Sequence, residues 1–175
     1  MKEVTLKVYS FGELSEETQK KVYNRELNNN FNEDIIQLLN KEMDGVLKDF
    51  GEHYGINIDY NVSEHDLDFK ISQSKYLNSN FEYGKNVYDF IKEKLEEVSG
   101  YITLYSDNNL TDTLKKYIEK YDKYRTFESL MKSCLLGFFA NWQNSIKFYN
   151  SFEYFKADAI SNNLEYFENG TLFNE

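Results

Sequence analysis

The chain has 175 residues, a formal net charge of −10 and 17% aromatic residues, with 15 Tyr and 14 Phe. That ring content is too high for a disordered acidic tail, and the length suits one globular domain. A single cysteine excludes an internal disulfide framework and favours a reducing, cytoplasmic compartment. The longest apolar run, 134–140, is far shorter than the roughly 20 residues that a membrane span needs, and we expect no signal peptide.

The N-terminal third predicts one strand and two helices. Apolar residues alternate with polar ones over 4–9, which is typical of a half-buried strand. Ser15 followed by two glutamates predicts a helix start, and we expect this helix to reach about residue 28. A similar start precedes a five-turn apolar stripe, which predicts a helix over 33–54 ended by Gly55.

Two alternating segments follow, at 56–62 and 67–72, and they predict an antiparallel hairpin. Its polar face carries Asp59, Asp68 and Lys70. The next stretch is polar and irregular, and we interpret 73–85 as a loop.

The C-terminal half predicts four more helices and a closing hairpin. Apolar stripes place the helices at about 87–98, 110–124, 127–148 and 151–162. Asn169-Gly170 between apolar residues predicts a hairpin turn within 165–173. We therefore expect a single α+β domain over 1–175, in which one small antiparallel sheet of four strands (4–9, 56–62, 67–72 and 165–173) packs against about five or six helices. Helices 33–54 and 127–148 should supply most of the core, with four large side chains buried: Phe50, Phe138, Phe139 and Trp142.

The residues that could carry chemistry match no known catalytic or metal-binding pattern. His53 and His65 lack zinc-ligand spacing, and a solvent-exposed His65 in an acidic turn is the favoured interpretation. Cys134 lies within an apolar stripe, which predicts a buried thiol with a raised pKa. Nucleotide-binding, hydrolase and metalloprotease motifs are absent from the sequence. We therefore predict no cofactor, no metal site and no enzymatic activity.

One basic and aromatic stretch has the composition of a single-stranded nucleic-acid site. It combines lysines with five tyrosines: Tyr101, Tyr105, Tyr117, Tyr121 and Tyr124. An amphipathic helix with tyrosines inward and lysines outward is the favoured interpretation, because the chain as a whole repels phosphate. We expect no direct contact with nucleic acid or membrane.

The acidic residues are concentrated at the N-terminal end. Residues 1–66 hold 14 carboxylates and seven lysines or arginines, whereas residues 67–126 are neutral. Carboxylates fixed on helices and a hairpin can imitate phosphates toward a basic protein, although a charged surface that only confers solubility explains the same count. If they bind a partner, we expect the contact residues to be Glu42, Asp49, Glu52, Asp59, Glu64, Asp66 and Asp68.

In segment 7–22 a predicted strand leads into Phe11-Gly12-Glu13-Leu14-Ser15-Glu16-Glu17, and segment 163–173 contains Glu165-Tyr166-Phe167-Glu168-Asn169-Gly170. The first segment resembles the opening of a diverse group of small phage and prophage proteins, a strand followed by F-x-E-L-S-E-E-A-K-x-K-A. The second resembles the group's usual ending, N-E-Y-E-F-T-E-D-G. The middle of the chain departs from the group, whose centre is rich in tryptophan and glycine. The resemblance implies an origin in a mobile element and supplies no catalytic residue.

Small acidic phage proteins without enzyme motifs are often inhibitors of host nucleic-acid machinery, including CRISPR systems, so the expected function rests on analogy of class and charge. We expect a non-catalytic inhibitor that binds a basic nucleic-acid groove of a host defence protein in the bacterial cytoplasm. Two alternatives stay open. One is a small metal-dependent enzyme acting on nucleic acid or nucleotides, and the other is an antitoxin-like protein that masks a basic toxin.

Overall fold

A computed structural model describes residues 7–74, 84–97, 109–122 and 124–173. Its helices are α1 (Glu16–Asn28), α2 (Glu33–Tyr54), α3 (Lys85–Glu97), α4 (Asn109–Lys120), α5 (Phe127–Tyr149) and α6 (Phe152–Ser161). Its strands are β1 (Tyr9–Ser10), β2 (Ile56–Val62), β3 (Leu67–Ser74) and β4 (Glu165–Tyr166). Helices with a few antiparallel strands make an α+β fold, which confirms the predicted fold class.

The chain forms two compact units. Unit 1 contains the residues up to Gln37 and those from Ile146 onward, and unit 2 contains 38–145. None of the helices within the described ranges is long and apolar enough to cross a membrane.

Unit 1 is built around Phe11, which is fully buried. Its ring meets Phe155 of α6 edge-on at a centroid distance of 5.2 Å and Tyr166 of β4 at 5.7 Å. β1 pairs antiparallel with β4, with Tyr9 opposite Tyr166. Both ends of the described chain are therefore tied into one aromatic cluster.

Serine caps and one buried amide complete unit 1. The Ser15 hydroxyl accepts the Thr18 N–H of α1, and the Ser151 hydroxyl accepts the Tyr154 N–H of α6, so each satisfies a backbone donor at a helix start. Asn32 is 3% exposed, and its amide donates to the Tyr149 carbonyl oxygen at 2.7 Å. This bond satisfies an otherwise costly buried polar group.

Unit 2 buries the large side chains of the long apolar stripes of α2 and α5. Phe50 of α2 and Phe138, Phe139 and Trp142 of α5 are all at most 4% exposed, which confirms the predicted core. The Trp142 indole N–H donates to the Asn40 side-chain oxygen at 3.0 Å, so its one polar atom is satisfied.

The prediction of one four-stranded sheet is wrong, because the strands form two separate two-stranded sheets, β1–β4 and β2–β3. Tyr166 of β4 is buried in the Phe11 cluster of unit 1. In unit 2, Tyr60 of β2 and Phe69 of β3 pack on Phe139 of α5. Each pair of strands thus covers its apolar side chains with a different helix cluster. Residues 4–6 of the predicted first strand lie outside the described residues.

The ends of α4 and β3 differ from those predicted. α4 ends at Lys120 rather than near 124, because Tyr121 adopts a left-handed conformation (φ +29°) and the Asp122 carboxylate accepts the Tyr124 N–H. β3 extends to Ser74, and the part 75–83 of the predicted loop lies outside the described residues. The C-terminal hairpin is confirmed, with a bridge between Tyr166 and Leu172.

Two glycines of α2 predict opposite responses to alanine. A Cβ on Gly45 would have no neighbour within 4 Å, whereas a Cβ on Gly51 would lie 2.7 Å from the Ile56 carbonyl oxygen. We expect Gly45→Ala to raise the free energy of unfolding by about 0.5–1 kcal/mol, since alanine loses less backbone entropy in a helix. Gly51→Ala should lower it by roughly 1–3 kcal/mol, because β2 must shift. Urea unfolding of both variants checks the pair, and equal effects would contradict the close approach of β2 to α2.

Candidate partner-binding surface

The predicted site residues lie on three parts of unit 2. Asp59 and Asp68 are on β2 and β3, Glu64 and Asp66 are in the turn between these strands, and the other three are on α2: Glu42, Asp49 and Glu52. All are exposed except Glu64, which is half-buried.

The polar face of the hairpin follows directly from its register. Asp59 lies opposite Lys70, and Asn61 lies opposite Asp68, so all four side chains share one face of the two-stranded sheet. Asp59 and Asp68 are diagonal neighbours, about 7–8 Å apart between Cα atoms in such a ladder. Asp59 also accepts a hydrogen bond from the Ser72 hydroxyl at 3.3 Å. The predicted polar face is confirmed, and one lysine lies among its carboxylates.

The turn of the hairpin is held by Ser63. Its N–H donates to the Asp66 carbonyl oxygen at 2.9 Å, and its hydroxyl accepts the Asp66 N–H at 3.0 Å. The Gln143 amide of α5 donates to the Ser63 carbonyl oxygen at 3.1 Å. The backbone that carries Glu64 and Asp66 is therefore attached to α5, the longest of the described helices.

The opposite face of the hairpin is apolar and lies on α5. Between ring centroids, Phe69 lies 4.9 Å from Phe139, and Tyr60 lies 5.5 Å from Phe139 and 5.6 Å from Trp142. Because a two-stranded hairpin is marginal alone in water, these ring contacts fix the polar face in place.

The structure does not bring the α2 carboxylates onto the face of the hairpin. Glu42 and Asp49 are seven residues apart and share one flank of α2, while Asp44 is about 160° around the helix from Glu42. The Asp44 flank faces the hairpin, because the Tyr60 hydroxyl donates a hydrogen bond to Asp44. Gly51, on the same flank, closely approaches the Ile56 carbonyl oxygen. The expected contact residues thus do not share one surface: Asp59 and Asp68 lie on the polar hairpin face, and Glu42 and Asp49 lie on the outer flank of α2.

Asp44 was missing from the expected contact set and is the α2 carboxylate that adjoins the hairpin. Sequence periodicity places it away from Glu42, but only the packing shows which flank meets β2. Its role is structural, since it binds the Tyr60 hydroxyl. Burial of the phenol and this hydrogen bond together raise the pKa of Tyr60 to about 12.

The carboxylates of unit 1 that precede α2 are locally paired. Glu16 forms a salt bridge with Lys20 at 2.8 Å, and Glu17 forms one with Lys21 at 2.6 Å. In each pair the lysine lies one turn further along α1. These lysines hold the pKa of both carboxyls below its usual range. Glu13 accepts both the backbone N–H and the hydroxyl of Ser10, and its pKa is lowered for that reason. The acidity of α1 is therefore largely compensated within the helix.

The net charge of unit 2 comes from α2 and the hairpin. Residues 38–74 hold eight carboxylates and three lysines, which leaves −5. The other described residues of this unit, 84–97, 109–122 and 124–145, hold eight carboxylates and eight lysines or arginines. Among the described residues, no ion pair engages Asp49, Glu52 or Asp66, all of which are exposed.

The histidines and the cysteine occupy ordinary structural positions. His53 is half-buried, and its Nε2–H donates a hydrogen bond to the Lys94 carbonyl oxygen, with 3.0 Å between Nε2 and the oxygen. His65 is exposed in the hairpin turn. Cys134 is fully buried, and burial raises the pKa of its thiol to about 12, as the sequence predicted. Within the described ranges, no three His, Cys, Asp or Glu side chains are grouped closely enough to hold a metal ion.

The tyrosines of the basic stretch do not form one surface. Tyr117 is buried at 3% exposure, while Tyr121 and Tyr124 follow the end of α4 and are 42% and 77% exposed. The lysines of α4 are exposed, so the inward-tyrosine arrangement is confirmed for Tyr117 only. Tyr101 and Tyr105 lie outside the described residues.

A groove of about 430 Å³ lies between β3 and the first turns of α5. Its polar groups bond to one another: Lys132 pairs with Glu128 at 2.5 Å, and the Ser133 hydroxyl donates to the Ser129 carbonyl oxygen at 2.9 Å. The groove therefore presents no set of converging polar groups without partners.

No protein-family model, curated protein or solved structure matches this chain.

The Tyr60–Asp44 bond predicts a specific alkaline response. Folding raises the pKa of the Tyr60 phenol from an ordinary value of 10 to about 12. The stability that the protonated phenol adds to the folded state is therefore fully present below pH 10 and is lost as the pH rises through about 12. We expect Tyr60→Phe to lower stability at pH 8 and to lose less further stability than the wild type between pH 9 and 11. Urea unfolding at each pH measures this difference, and parallel losses in both proteins would contradict the assignment.

Cys134 should be unreactive in the native protein. We expect negligible alkylation by iodoacetamide at pH 8, because the reagent needs an accessible thiolate, and full alkylation in urea. Mass spectrometry counts the adducts. Labelling of the native protein at the rate seen in urea would show that this part of α5 is accessible.

Proposed function

We propose that this chain is a phage-encoded, non-catalytic binding protein whose acidic surface occupies a basic nucleic-acid groove on a host defence protein, such as the nucleic-acid channel of a CRISPR nuclease. The proposal rests on one observation. The excess charge of unit 2, −5, is confined to α2 and the hairpin, and the remaining described residues of the unit are balanced. Such a charge distribution orients a protein toward a cationic partner.

The carboxylates are displayed on a firm backbone. Asp59 and Asp68 lie on paired strands whose other face packs on α5, and the turn of Asp66 is bonded to Gln143 through Ser63. Fixed carboxylates lose little conformational freedom on binding, which increases the affinity obtained from each contact. This favours a binding surface over a charged coat that only confers solubility.

A groove evolved for nucleic acid attracts such a surface by the same long-range field that attracts phosphates. Association should therefore be fast at low salt and should slow steeply as salt screens the field over about 10 Å at 0.1 M. The outer flank of α2, with Glu42 and Asp49, provides a second set of carboxylates for a partner that reaches both surfaces, and the exposed Glu52 lies about 60° around the helix from Asp49.

The test uses a variant without four hairpin charges: Asp59→Asn, Glu64→Gln, Asp66→Asn and Asp68→Asn. A matched control removes four exposed carboxylates elsewhere: Glu93→Gln, Glu96→Gln, Glu153→Gln and Glu168→Gln. Both variants change the net charge from −10 to −6, so they separate position from total charge. Each substitution at an exposed position should cost within about 0.5 kcal/mol of stability, and Glu64 is the one half-buried position among the eight.

The measurement is displacement of DNA. Proteins captured from a bacterial lysate by the immobilised wild type are identified, purified and loaded with a fluorescent oligonucleotide, whose release is followed by anisotropy. We expect the wild type to release the DNA, the hairpin variant to associate at least roughly tenfold more slowly, and the control to resemble the wild type. Failure of the wild type to displace DNA from any captured protein, or equal rates for both variants, would overturn the proposal.

A further inference from the structure

The C-terminal hairpin of unit 1 turns at the only Asn-Gly sequence in the chain. The Gly170 N–H donates to the Phe167 carbonyl oxygen at 2.8 Å, and Phe167 N–H donates to the Thr171 carbonyl oxygen at 2.8 Å. Within this turn, only Gly170 has a positive φ, at +83°. The turn is therefore a type I turn followed by a glycine bulge, rather than a two-residue turn in which Asn169 would also need a positive φ.

This turn is fixed against α1. A Cβ on Gly170 would lie 2.7 Å from Val22 Cγ2 and 3.0 Å from Thr18 Cγ2, so its backbone touches the helix. The Arg25 guanidinium donates to the Gly170 carbonyl oxygen at 3.1 Å. The exposed Asn169 side chain accepts the Thr171 N–H at 2.9 Å. Both residues of the Asn-Gly pair thus have defined partners.

Asn-Gly is also the sequence with the least steric resistance to deamidation, because glycine has no side chain to shield its backbone nitrogen. In this reaction hydroxide removes the Gly170 N–H proton, and the nitrogen attacks Cγ of Asn169. The bond from Cγ to the side-chain nitrogen breaks, ammonia leaves and a cyclic imide forms. Water then opens the ring at one of its two carbonyls, which yields aspartate or isoaspartate.

The closed hairpin opposes the first step of this reaction. The Gly170 N–H is already donated to the Phe167 carbonyl oxygen, and the side-chain oxygen of Asn169 already accepts the Thr171 N–H. Attack requires both hydrogen bonds to break and the backbone to rotate. The reaction should therefore proceed from a locally opened hairpin, at a rate set by the population of that open form.

We propose that Asn169 is a deamidation site gated by opening of the C-terminal hairpin, and that the isoaspartate product prevents the hairpin from closing again. Isoaspartate passes the main chain through Cγ, which inserts one more backbone atom into a turn whose glycine must fit against Val22 and Thr18. Aspartate at 169 keeps the backbone and an acceptor for the Thr171 N–H. Only the isoaspartate branch should disrupt unit 1 irreversibly.

The rate test compares the wild type with two variants of α1. Arg25→Ala removes the bond to Gly170, whereas Lys21→Ala removes a cation of the same helix that pairs with Glu17 instead. Each protein is incubated at pH 8 in buffer and in urea, and the extent of deamidation at Asn169 is read by peptide mass spectrometry. We expect the native wild type to react at least about tenfold more slowly than the same protein in urea, as for a site that opens locally.

Arg25→Ala should accelerate the native reaction about fivefold, the factor that corresponds to a hydrogen bond worth about 1 kcal/mol. Lys21→Ala should deamidate at the wild-type rate, and all three proteins should deamidate at the same rate in urea. If the wild type deamidates equally fast in buffer and in urea, the proposal that the closed hairpin slows the reaction is wrong. If Arg25→Ala deamidates no faster than Lys21→Ala, the proposal that the Arg25–Gly170 bond helps to keep the hairpin closed is wrong.

The product test separates the aspartate and isoaspartate forms after incubation in urea and refolds each. Asn169→Asp is the matched control for the added charge, and we expect it and the aspartate form to recover hydrogen-exchange protection of the amides of Phe167 and Thr171. The isoaspartate form should not recover this protection. If all forms recover this protection alike, isoaspartate does not prevent the hairpin from closing. If Asn169→Asp does not recover it, the added negative charge rather than the altered backbone causes the loss of protection.

Discussion

The packing of the β2–β3 hairpin on α5 is the constraint on which the acidic surface of unit 2 depends. Two paired strands have too little apolar contact to persist alone, and Phe69 and Tyr60 gain that contact from Phe139 and Trp142. Because side chains alternate along a strand, fixing one face on α5 also fixes Asp59 and Asp68 on the other. The same aromatic contacts thus stabilise the unit and orient its carboxylates.

The helices were predictable because their apolar stripes persist over several turns. The strongest stripes, 33–54 and 127–148, correspond closely to α2 and α5, and the four large side chains assigned to the core are buried. The end of α4 was not predictable from periodicity, since the stripe continues through Tyr121 and Tyr124. There a left-handed residue and an aspartate side chain end the helix, and both are local backbone effects.

The arrangement of strands and site residues required tertiary packing. Alternation identified the polar face of the hairpin correctly, because Asp59, Asp68 and Lys70 share it. Nothing in a strand's own pattern states which other strand it joins, so one sheet was expected where two exist. In the same way, the α2 carboxylates could be placed around their helix, but not relative to the hairpin. The Tyr60–Asp44 bond decides that question, and it joins residues 16 positions apart in the sequence.

The pairing of β1 with β4 has a consequence for the order in which the chain folds during synthesis. Tyr9 meets Tyr166, so a strand made before unit 2 waits for a partner made after it. Residues 38–145, which form unit 2, all leave the ribosome during that interval. Since domains fold as units while the chain emerges, unit 2 can form first, and Phe11 and Tyr23 stay exposed to solvent and to chaperones until Phe155 and Tyr166 emerge.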